Sequence, residues 1–486
     1  MDFFQATCAA TGELLPGEFA EATANQIDAA CERAADAALE LREFSPERLG
    51  EFLSAVASEI QSRRTEIVAR CELETGYINA RVEGEFDRAA GQLNLFARLA
   101  VERPWDRVTS EPADPDRKPF PKPRMSRRFV PVGPVAVFGA CNFPLAISVV
   151  GNDFVSAIAT GNPVIVKSHP SHPGTCELLG DAVKEVVKRL DFPAGTFDLF
   201  HGRSPDTAIR LVSHPAISAV GFTGSPQGGR SLAKAVLERE NPIPIFAELG
   251  STNPVFIGRD AMAARVEAIA DGFAASLRFG NGHMCTKPGV VVVHEADAES
   301  FVQATCKTFA KQPNLPMLSG PVADAFDRGI EQLQSAEDVD ELVIAKRSQS
   351  DGPWHRGAHW FGMTAETAIR SGWLHSETFG PVSILVRCPD EETMLRVAGE
   401  FHGSLTTTLH TEASDNDFAL DWLKVSERFA GRIILNGWPT GMEIGAATQH
   451  GGPFPASLDG RSTSVGHASL ERFVRPVCYQ NWPENR

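Results

Sequence analysis

The amino-acid sequence predicts an α/β protein with a Rossmann-type parallel sheet. Three short apolar strands recur between residues 135 and 222, and a helical segment follows each of them. The strands are residues 135–138, 164–166 and 219–222, and the helices are expected at about 145–160, 173–189 and 226–239. Repeated units of this kind imply a parallel sheet with helices on both faces. With 486 residues the chain is too long for a single core, and a second α/β region is expected from about 249 to 445.

The segments around this region complete the predicted architecture. Residues 27–44 are rich in Ala, Glu and Leu, and residues 49–75 repeat apolar side chains at helical spacing, so the first third is predicted to be helical. The uncharged run 129–152 is long enough to span a bilayer. Its prolines and glycines would break a lipid-exposed helix, so we interpret it as a strand, a loop and a helix start. Residues 474–479 have the pattern of a strand.

Charge and cysteine content limit the partners and the compartment. The formal net charge of -16 argues against nucleic acid or an anionic membrane as a partner, because phosphate binding needs clustered cations. The basic stretch 118–128 is short and interrupted by prolines, so we interpret it as a solvated connector. The nine cysteines form no CxxC pair, which favours reduced thiols in a cytoplasmic protein and suggests no metal site. The first residues lack the segments of a secretory signal.

Cys285 is the strongest candidate for a reactive side chain. It lies in the run 279–289, FGNGHMCTKPG, whose glycines indicate a loop that comes close to another group. Glu248 stands upstream in the sequence FAELG. A thiolate and a carboxylate that deprotonates water are together able to form a thioester and hydrolyse it. Singly, each residue has a plainer interpretation, since most free cysteines are inert core residues and Glu248 is compatible with a buried structural acid.

A glycine-rich turn at residues 222–229, FTGSPQGG, is a candidate phosphate-binding site. It follows a predicted strand and opens a predicted helix, so its backbone amides and the positive helix end can face a pyrophosphate. The same pattern is also typical of a glycine-rich helix cap.

Together these motifs make the chain similar to the aldehyde dehydrogenase superfamily. The similarity runs along nearly the whole chain, from TGE at 11–13 to RFVRPV at 472–477. Within the superfamily the chain most resembles 2-oxoglutarate semialdehyde (2,5-dioxopentanoate) dehydrogenases, through HGGPFPA at 450–456 and RSTSVG at 461–466. This resemblance implies NAD(P)-dependent oxidation of an aldehyde to a carboxylic acid through a cysteine thiohemiacetal and a thioester.

The resemblance also implies an aldehyde dehydrogenase-like division of the chain into three parts. Residues 1–117 and 133–248 are expected to form the dinucleotide-binding domain, and 249–445 an α/β catalytic domain. Segments 118–132 and 446–486 are expected to pair as a small oligomerisation arm, which implies a homodimer or homotetramer.

Individual roles follow from the same resemblance. Cys285 is the nucleophile, Glu248 activates water, and the Asn142 side chain in the loop GACNFP makes an oxyanion hole with the Cys285 N–H. Without the resemblance Asn142 would be interpreted as a turn residue. Lys167 holds the adenosine ribose and Glu377 the nicotinamide ribose. The further dinucleotide-binding residues that it implies are Gly224, Ser225, Gly229, Leu249 and Phe379.

The residues after Lys167 bear on the choice of cofactor. NAD-preferring relatives place an acid three positions after this lysine, whereas Ser168, His169 and Pro170 follow it here. No fixed negative charge therefore opposes a 2'-phosphate, and Ser168 and His169 can donate hydrogen bonds to it. We expect NADP as the cofactor, with NAD as the alternative. The sequence HPSHP is also typical of a turn.

Substrate-facing residues are predicted near the nucleophile and in the loop 436–442, NGWPTGM. Trp438 and Phe143 supply apolar walls that suit an aliphatic aldehyde. A distal carboxylate needs a cation, and Arg278 and Arg461 are the candidates, although an exposed structural arginine is the plainer interpretation of either.

The expected substrate is 2-oxoglutarate semialdehyde, oxidised to 2-oxoglutarate. Fatty aldehydes and succinate semialdehyde are the alternatives, because His283 and Met284 precede Cys285 where the commonest family pattern has Gln at the first of these positions. A CoA-acylating enzyme would not need Glu248, so the presence of this glutamate favours release of the free acid.

Overall fold

Two mainly parallel β-sheets covered by helices, with small antiparallel sheets beside them, make up the described chain. The structure is a computed structural model that describes residues 2–309, 312–346, 348–413 and 416–483. Its α-helices are α1 (Ala24–Leu41), α2 (Pro46–Ser62), α3 (Arg64–Thr75), α4 (Asn79–Glu102), α5 (Asn152–Ala159), α6 (Pro173–Arg189), α7 (Pro205–Ser213), α8 (Pro226–Leu237), α9 (Arg259–Arg278), α10 (Glu295–Phe309), α11 (Gly320–Gln334), α12 (Ala365–Ser371), α13 (Glu391–Glu400) and α14 (Asp417–Ser426).

The strands lie between and after these helices. They are β1 (Phe3–Phe4), β2 (Phe19–Ala20), β3 (Thr109–Glu111), β4 (Met125–Pro131), β5 (Val135–Phe138), β6 (Val164–Lys167), β7 (Phe197–Phe200), β8 (Ala219–Thr223), β9 (Ile245–Glu248), β10 (Val255–Ile257), β11 (Val290–His294), β12 (Leu315–Pro316), β13 (Asp340–Ile344), β14 (His355–Arg356), β15 (His359–Thr364), β16 (Val382–Cys388), β17 (Ser404–His410), β18 (Ala430–Leu435) and β19 (Val474–Gln480).

The first sheet is parallel throughout, in the order β7-β6-β5-β8-β9. The three predicted strands are confirmed as β5, β6 and β8. The chain runs outward from β5 to β7 and then returns to the other side of β5 as β8. Such a reversal leaves a crevice at the carboxyl ends of the strands, where open α/β sheets bind their ligands. Strand β9 ends at Glu248 and brings this residue to the same edge.

Helices pack on both faces of this sheet, as predicted. Helices α2 to α6 bury a large apolar cluster against one face, which includes Phe52, Phe86 and Phe154. Helices α1, α7 and α8 cover the opposite face through side chains such as Ile27 and Leu232. The sheet is therefore enclosed on both faces, and its open edge is the carboxyl end of the strands.

Helix α6 has the predicted bounds, but the helix expected at about 145–160 begins only at Asn152. The preceding Gly151 has an extended backbone with φ -83° and ψ -163°. A Cβ at this position would lie 2.5 Å from the Ala146 carbonyl oxygen, so the chain turns tightly there. Residues 145–151 therefore form a turn, and the helix start predicted from apolar content alone was wrong.

The helical prediction for the first third is confirmed, with a break inside the second segment. Residues 49–75 form two helices, α2 and α3, which meet at Arg63 with φ -102° and ψ 9°. Ser45 begins α2, because its side chain accepts a hydrogen bond from the backbone N–H of Arg48. Helix α4 was not predicted, although its buried side chains belong to the same apolar cluster.

The second α/β region is a seven-stranded sheet in the order β13-β15-β16-β11-β10-β17-β18. All its neighbours are parallel except the edge strand β13, which is antiparallel to β15. Its two faces bury separate apolar clusters, one around Phe256 and Phe361 and the other around Phe273 and Trp360.

A three-stranded antiparallel sheet joins the C-terminal tail to the segment before the first sheet, in the order β19-β4-β3. The predicted tail strand is β19, and it pairs with β4 over seven positions, Val474 with Pro131 through Gln480 with Met125. Residues 125–128 thus belong to a strand, and their interpretation as a solvated connector was wrong. Among the described helices, none has both the length and the apolar character that crossing a membrane requires.

Candidate active site

A cleft of about 830 Å³ opens at the carboxyl end of the first sheet and reaches Cys285. Its walls come from the ends of β5, β6, β8 and β9 and from the loop before β16. The predicted residues that line it are Asn142, Phe143, Lys167, Ser168, His169, Gly224, Ser225, Glu248, Leu249, Cys285, Glu377 and Phe379. The fold thus gathers these side chains, which are distant in sequence, around one cavity.

The loop that carries Cys285 has a backbone that few residues adopt. Gly280, Asn281 and Gly282 have φ angles of 57°, 53° and 73°, in the left-handed region. A Cβ on Gly282 would lie 2.3 Å from the backbone of Gly380, so the loop packs directly against the chain before β16. The glycines near the nucleophile therefore mark a close backbone approach, as the sequence predicted.

Asn253 holds the nucleophile from the other side. Its Nδ2 donates to the backbone oxygens of Cys285 at 2.8 Å and Lys287 at 2.9 Å. Asn253 is fully buried and has a φ of 47°. These backbone contacts set the position of the nucleophile. The Cys285 side chain remains part of the cleft lining.

A histidine, His450, lies between Cys285 and Glu248. The Cys285 Sγ is 3.3 Å from His450 Nε2, and His450 Nδ1 is 3.3 Å from Glu248 Oε2. Both His450 and Glu248 are buried, with 7% and 6% of their surface exposed. The predicted nucleophile and base therefore meet in one site, and an imidazole links their side chains.

Hydroxyl groups from the segment after His450 orient the side chains of His450 and Glu248. Ser457 Oγ donates to Glu248 Oε1 at 3.1 Å, and Ser464 Oγ lies 3.2 Å from His450 Nδ1. Thr463 Oγ1 accepts the backbone N–H of His450 at 2.8 Å. The ring and the carboxylate are thus held by partners of their own, which is how proteins fix the orientation of reactive groups.

The surroundings of His450 favour its protonated form. Burial alone would lower the pKa of His450, but its interactions with the Cys285 sulfur and the Glu248 carboxylate outweigh burial and raise the pKa to about 10. At neutral pH the ring is therefore an imidazolium, with one N–H directed at the Cys285 sulfur. A cation at this position stabilises the thiolate, which is the reactive form of cysteine.

Asn142 lies on the loop after β5, beside the nucleophile. Its Nδ2 donates to the backbone oxygen of His283 at 2.8 Å, and the side chain is 6% exposed. Its own backbone oxygen accepts from Tyr77 Oη and from Arg81 Nη2, each at 3.3 Å. These contacts fix the amide next to the nucleophile loop and leave its second N–H as a donor for an oxyanion.

His283, where the sequence departs from the commonest family pattern, packs behind the cleft. Its ring lies 5.2 Å from the Phe379 ring, between centroids, and 6.4 Å from the Tyr77 ring. Burial lowers the pKa of His283 to about 3, so the ring is neutral. At this position His283 therefore packs an uncharged aromatic ring against Phe379, a predicted cofactor-binding residue.

The glycine-rich turn has the geometry of a phosphate cradle. Ser225 caps α8, and its Oγ accepts the backbone N–H of Gly228 at 3.1 Å. A Cβ on Gly229 would lie 2.3 Å from Leu249 Cδ2, so α8 packs closely against the Leu249 side chain at the end of β9. The first turn of α8 thus faces the cleft beside Gly224, with its positive end toward the cavity.

Lys167, at the end of β6, presents an unused ammonium to the cleft. It makes no side-chain hydrogen bond or ion pair within the part of the chain that the structure describes. Burial lowers the pKa of Lys167 to about 8, against the opposing charges of Cys176 and Glu21. A buried ammonium without a partner suits a ligand rich in hydroxyl and phosphate oxygens.

Lys287, in the nucleophile loop, and Glu377, before β16, carry opposite charges that attract each other. Lys287 Nζ donates to the backbone oxygens of Val382 at 2.7 Å and Thr378 at 3.3 Å. Glu377 Oε2 accepts the backbone N–H of Ser251 at 3.1 Å. Burial raises the pKa of Glu377 and lowers the pKa of Lys287, while the attraction within the pair opposes both shifts.

None of the residues directly after Lys167 is acidic, as predicted, but the Ser168 hydroxyl already has a hydrogen-bond partner. Ser168 Oγ lies 2.8 Å from His201 Nδ1, and Ser168 is 1% exposed. His169 Nδ1 accepts the Ser171 N–H at 3.2 Å, so its Nε2 carries the proton and remains a donor. Burial, with help from His172 and Lys167, lowers the pKa of His169 well below its ordinary value.

The predicted substrate residues do not gather at one place. Phe143 lines the cleft, whereas Trp438 packs on His410 and Phe273, with ring centroids at 4.9 and 5.8 Å. Arg278 is nearly buried and donates to the Pro313 carbonyl, and the Arg461 side chain is 95% exposed beside Asp459. No contact among the described residues links either of these arginines to Cys285, and their predicted role in binding a carboxylate stays a prediction.

Reasoning from the sequence missed His450 as a reactive group. His450 stands 165 residues from Cys285 and 202 from Glu248, so no local spacing connects them. The signal available was its place at the head of HGGPFPA, the motif that marked the narrower resemblance. That motif folds against the end of β9 through a bridge between Glu248 and Ser457.

Comparison with known proteins agrees with this geometry. The model of the aldehyde dehydrogenase family matches residues 2–476. The chain is 42% identical to the alpha-ketoglutaric semialdehyde dehydrogenase 2 of Azospirillum brasilense, over 96% of this chain and 89% of that protein. It is 37% identical to the alpha-ketoglutaric semialdehyde dehydrogenase of Acinetobacter baylyi, over 95% of this chain and 88% of that protein.

Solved structures resemble the fold at lower identity. A Thermus 1-pyrroline-5-carboxylate dehydrogenase with bound NAD superposes with a TM-score of 0.84 and 20% identity, over 99% of this chain and 90% of that one. The family model and both bacterial relatives match nearly all of the chain. This protein therefore belongs to the aldehyde dehydrogenase family.

Proposed function

We propose that this aldehyde dehydrogenase oxidises 2-oxoglutarate semialdehyde to 2-oxoglutarate, with NADP as the hydride acceptor. The observation that carries the proposal is the linked set Cys285, His450 and Glu248 at the end of the cleft. The substrate is proposed from the two bacterial relatives, whose names specify this semialdehyde.

The cleft fits a nicotinamide dinucleotide. The unpartnered Lys167 ammonium, the first turn of α8 at Ser225 and the Glu377 carboxylate would hold its ribose and phosphate groups, as the family resemblance implies. When bound, the cofactor supplies the acceptor for a hydride. The attack on the aldehyde and the hydrolysis of the thioester are carried out by side chains of the protein.

In the first step the Cys285 thiolate attacks the aldehyde carbon and forms a C–S bond. The His450 imidazolium keeps its proton and stabilises the thiolate before the attack. The carbonyl oxygen becomes an oxyanion, which accepts hydrogen bonds from Asn142 Nδ2 and the Cys285 backbone N–H. Each such donor is worth about 2.7 to 4 kcal/mol in the transition state.

In the second step water releases the acid. Once the aldehyde hydrogen has left as hydride, the group on Cys285 is a neutral thioester. Glu248 takes a proton from water, the resulting hydroxide adds to the thioester carbonyl, and the C–S bond breaks to restore the thiolate beside His450. The proton on Glu248 and the proton of the new acid both pass to solvent, so charge balances over the cycle.

NADP is the preferred cofactor in this proposal because no acid faces the ribose from the positions after Lys167. His169 offers an Nε2–H to a 2'-phosphate, and the Lys167 ammonium adds positive charge. NAD remains the alternative. The Ser168 hydroxyl shares its proton with His201, so its contribution to phosphate binding is the smaller one.

The three-part organisation and the assembly are part of the same proposal. Residues 1–117 and 133–248 form the dinucleotide-binding domain, and 249–445 the catalytic domain. Segments 118–132 and 446–486 form the oligomerisation arm of a cytoplasmic homodimer or homotetramer. The support is that β19 is an edge strand of its sheet among the described residues, since a free edge pairs readily with another chain.

The test is to mix the purified chain with 2-oxoglutarate semialdehyde and NADP, without CoA, and to follow NADPH by absorbance. We expect NADPH and 2-oxoglutarate in equal amounts, and a higher kcat/KM than for succinate semialdehyde or a medium-chain aliphatic aldehyde. Faster oxidation of either comparison substrate would replace the proposed substrate. A requirement for CoA would overturn the hydrolytic mechanism.

A further inference from the structure

Arg88 is a positively charged side chain beside the proposed oxyanion hole. It lies on α4, and its guanidinium carbon is 5.8 Å from the centroid of the Phe143 ring. Phe143 directly follows Asn142, whose side chain is tied to the loop of Cys285 through His283. The guanidinium therefore lies next to Phe143, which lines the cleft beside the proposed oxyanion hole.

The two acidic residues closest to Arg88 in sequence, Asp87 and Glu85, are already paired. Asp87 Oδ1 accepts from Arg64 Nη1 at 2.6 Å. Glu85 Oε2 accepts from Arg81 Nη1 at 2.6 Å, and Glu85 Oε1 accepts the backbone N–H groups of Leu145 at 2.9 Å and Ala146 at 3.0 Å. Arg88 makes no hydrogen bond or ion pair among the described residues, and its Nε is buried without a partner. Arg81 is thus neutralised, whereas Arg88 is not.

The charge on Arg88 reaches the nucleophile. Burial lowers the pKa of the Arg88 guanidinium, and the negative charges of Glu85, Cys285 and Glu443 oppose that change. Burial lowers the pKa of Arg432 as well, again against Cys285. The Arg432 guanidinium, however, already donates to backbone carbonyls in the loop 436–442, at 3.0 and 2.5 Å. Of these two guanidiniums, Arg88 has the donors left for a ligand.

A guanidinium whose Nε is buried without an acceptor is costly, and a carboxylate that takes two parallel N–H groups is its best partner. We propose that Arg88 binds the carboxylate of the substrate and thereby selects acid semialdehydes over uncharged aldehydes. The inference rests on the proposed function, which supplies an acidic substrate. It places carboxylate recognition on α4 and not at Arg278 or Arg461.

The test compares two substrates in three proteins. We measure kcat/KM for 2-oxoglutarate semialdehyde and for pentanal in wild type, Arg88→Met and Arg88→Lys. The ratio of the two values should fall about 30-fold or more in Arg88→Met, because a desolvated charge pair is lost. It should fall less in Arg88→Lys, which keeps the charge but not the planar fork. Arg98→Met, an exposed position on α4, is the matched control and should leave the ratio unchanged.

A second readout does not depend on the aldehyde. Cys285 is alkylated with iodoacetate, which is anionic, and with iodoacetamide, which is neutral. The ratio of the two rates should be several-fold higher in wild type than in Arg88→Met, because Arg88 attracts the anion. Arg98→Met should behave like wild type in this assay as well.

The outcomes separate the two proposals. A wild-type preference for pentanal, with an Arg88-dependent alkylation ratio, would contradict the proposed substrate and support an anion site at Arg88. Equal losses on both substrates, with an unchanged alkylation ratio, would overturn the anion site and leave Arg88 a structural role. If Arg88→Met does not fold, the same comparisons with Arg88→Lys and Arg88→Gln decide between these results.

Discussion

The two sides of the nucleophile are built in different ways. The cofactor side is an open cleft whose residues stand at the ends of strands, such as Lys167 on β6 and Ser225 after β8. The other side is a buried linkage in which Glu248 reaches His450 across 202 residues of sequence. Cofactor binding therefore depends on short local motifs, whereas proton chemistry depends on the C-terminal segment that packs against β9.

This difference makes a general prediction about variants. Changes on the cofactor side should alter affinity and cofactor choice, and they should leave the covalent chemistry in place. Changes on the His450 side should alter the rates of single steps and leave dinucleotide binding in place. The variants of Cys285, Glu248 and Pro170 test that separation.

The largest effect is expected for Cys285→Ala. Oxidation should fall by more than about a thousandfold, because the thiolate is needed for the covalent step. The dissociation constant for NADP should change little, as measured by protein fluorescence or calorimetry. Cys306→Ala, at a cysteine on α10 outside the cleft, is the control and should keep full activity. Weakened NADP binding in Cys285→Ala would show that the two sides are coupled.

The next effect is expected for Glu248→Gln. The thioester should still form, but its hydrolysis should slow by about 10² to 10⁴, because the water proton has no acceptor. Rapid mixing should show a burst of NADPH of about one per active site, followed by slow turnover. Equal slowing of the burst and of the later phase would give Glu248 a structural role instead.

The smallest effect is expected on the cofactor side, for Pro170→Glu. A carboxylate here should repel the 2'-phosphate and weaken NADP by about 1 to 3 kcal/mol. NAD should lose little, so the ratio of kcat/KM for NADP over NAD should fall by the corresponding factor. Pro170→Gln separates the charge from the loss of proline. A wild-type ratio well below one, or a ratio that neither variant moves, would show that the ribose is recognised elsewhere.

Much of the first sheet was predictable because each element carries its own signal. Strand β5 and helix α6 have the predicted bounds, since apolar runs and Pro173 at the helix start are local features. The start of α5 was missed because the close contact at Gly151 depends on how the turn folds back. A single sequence does not show that kind of contact.

The candidate site divides in the same way. Cys285, Asn142 and Glu377 stand in short motifs that the family resemblance covers, so their place around the cleft was predictable. His450 and Arg88 were not, because their importance comes from what lies opposite them in space. His450 gains it from Cys285 and Glu248, and Arg88 from a buried Nε that has no hydrogen-bond acceptor among the described residues.

The central claim is that the His450 imidazolium keeps Cys285 reactive, and alkylation with iodoacetamide tests it most directly. Since the pKa of His450 is raised to about 10, the ring holds its proton at neutral pH and loses it only as pH rises through that value. The wild-type rate should therefore change less than about threefold between pH 6.5 and 8.5. In His450→Gln it should rise about 50-fold over this range, as for an unassisted thiol. Matching profiles in the two proteins would contradict the claim.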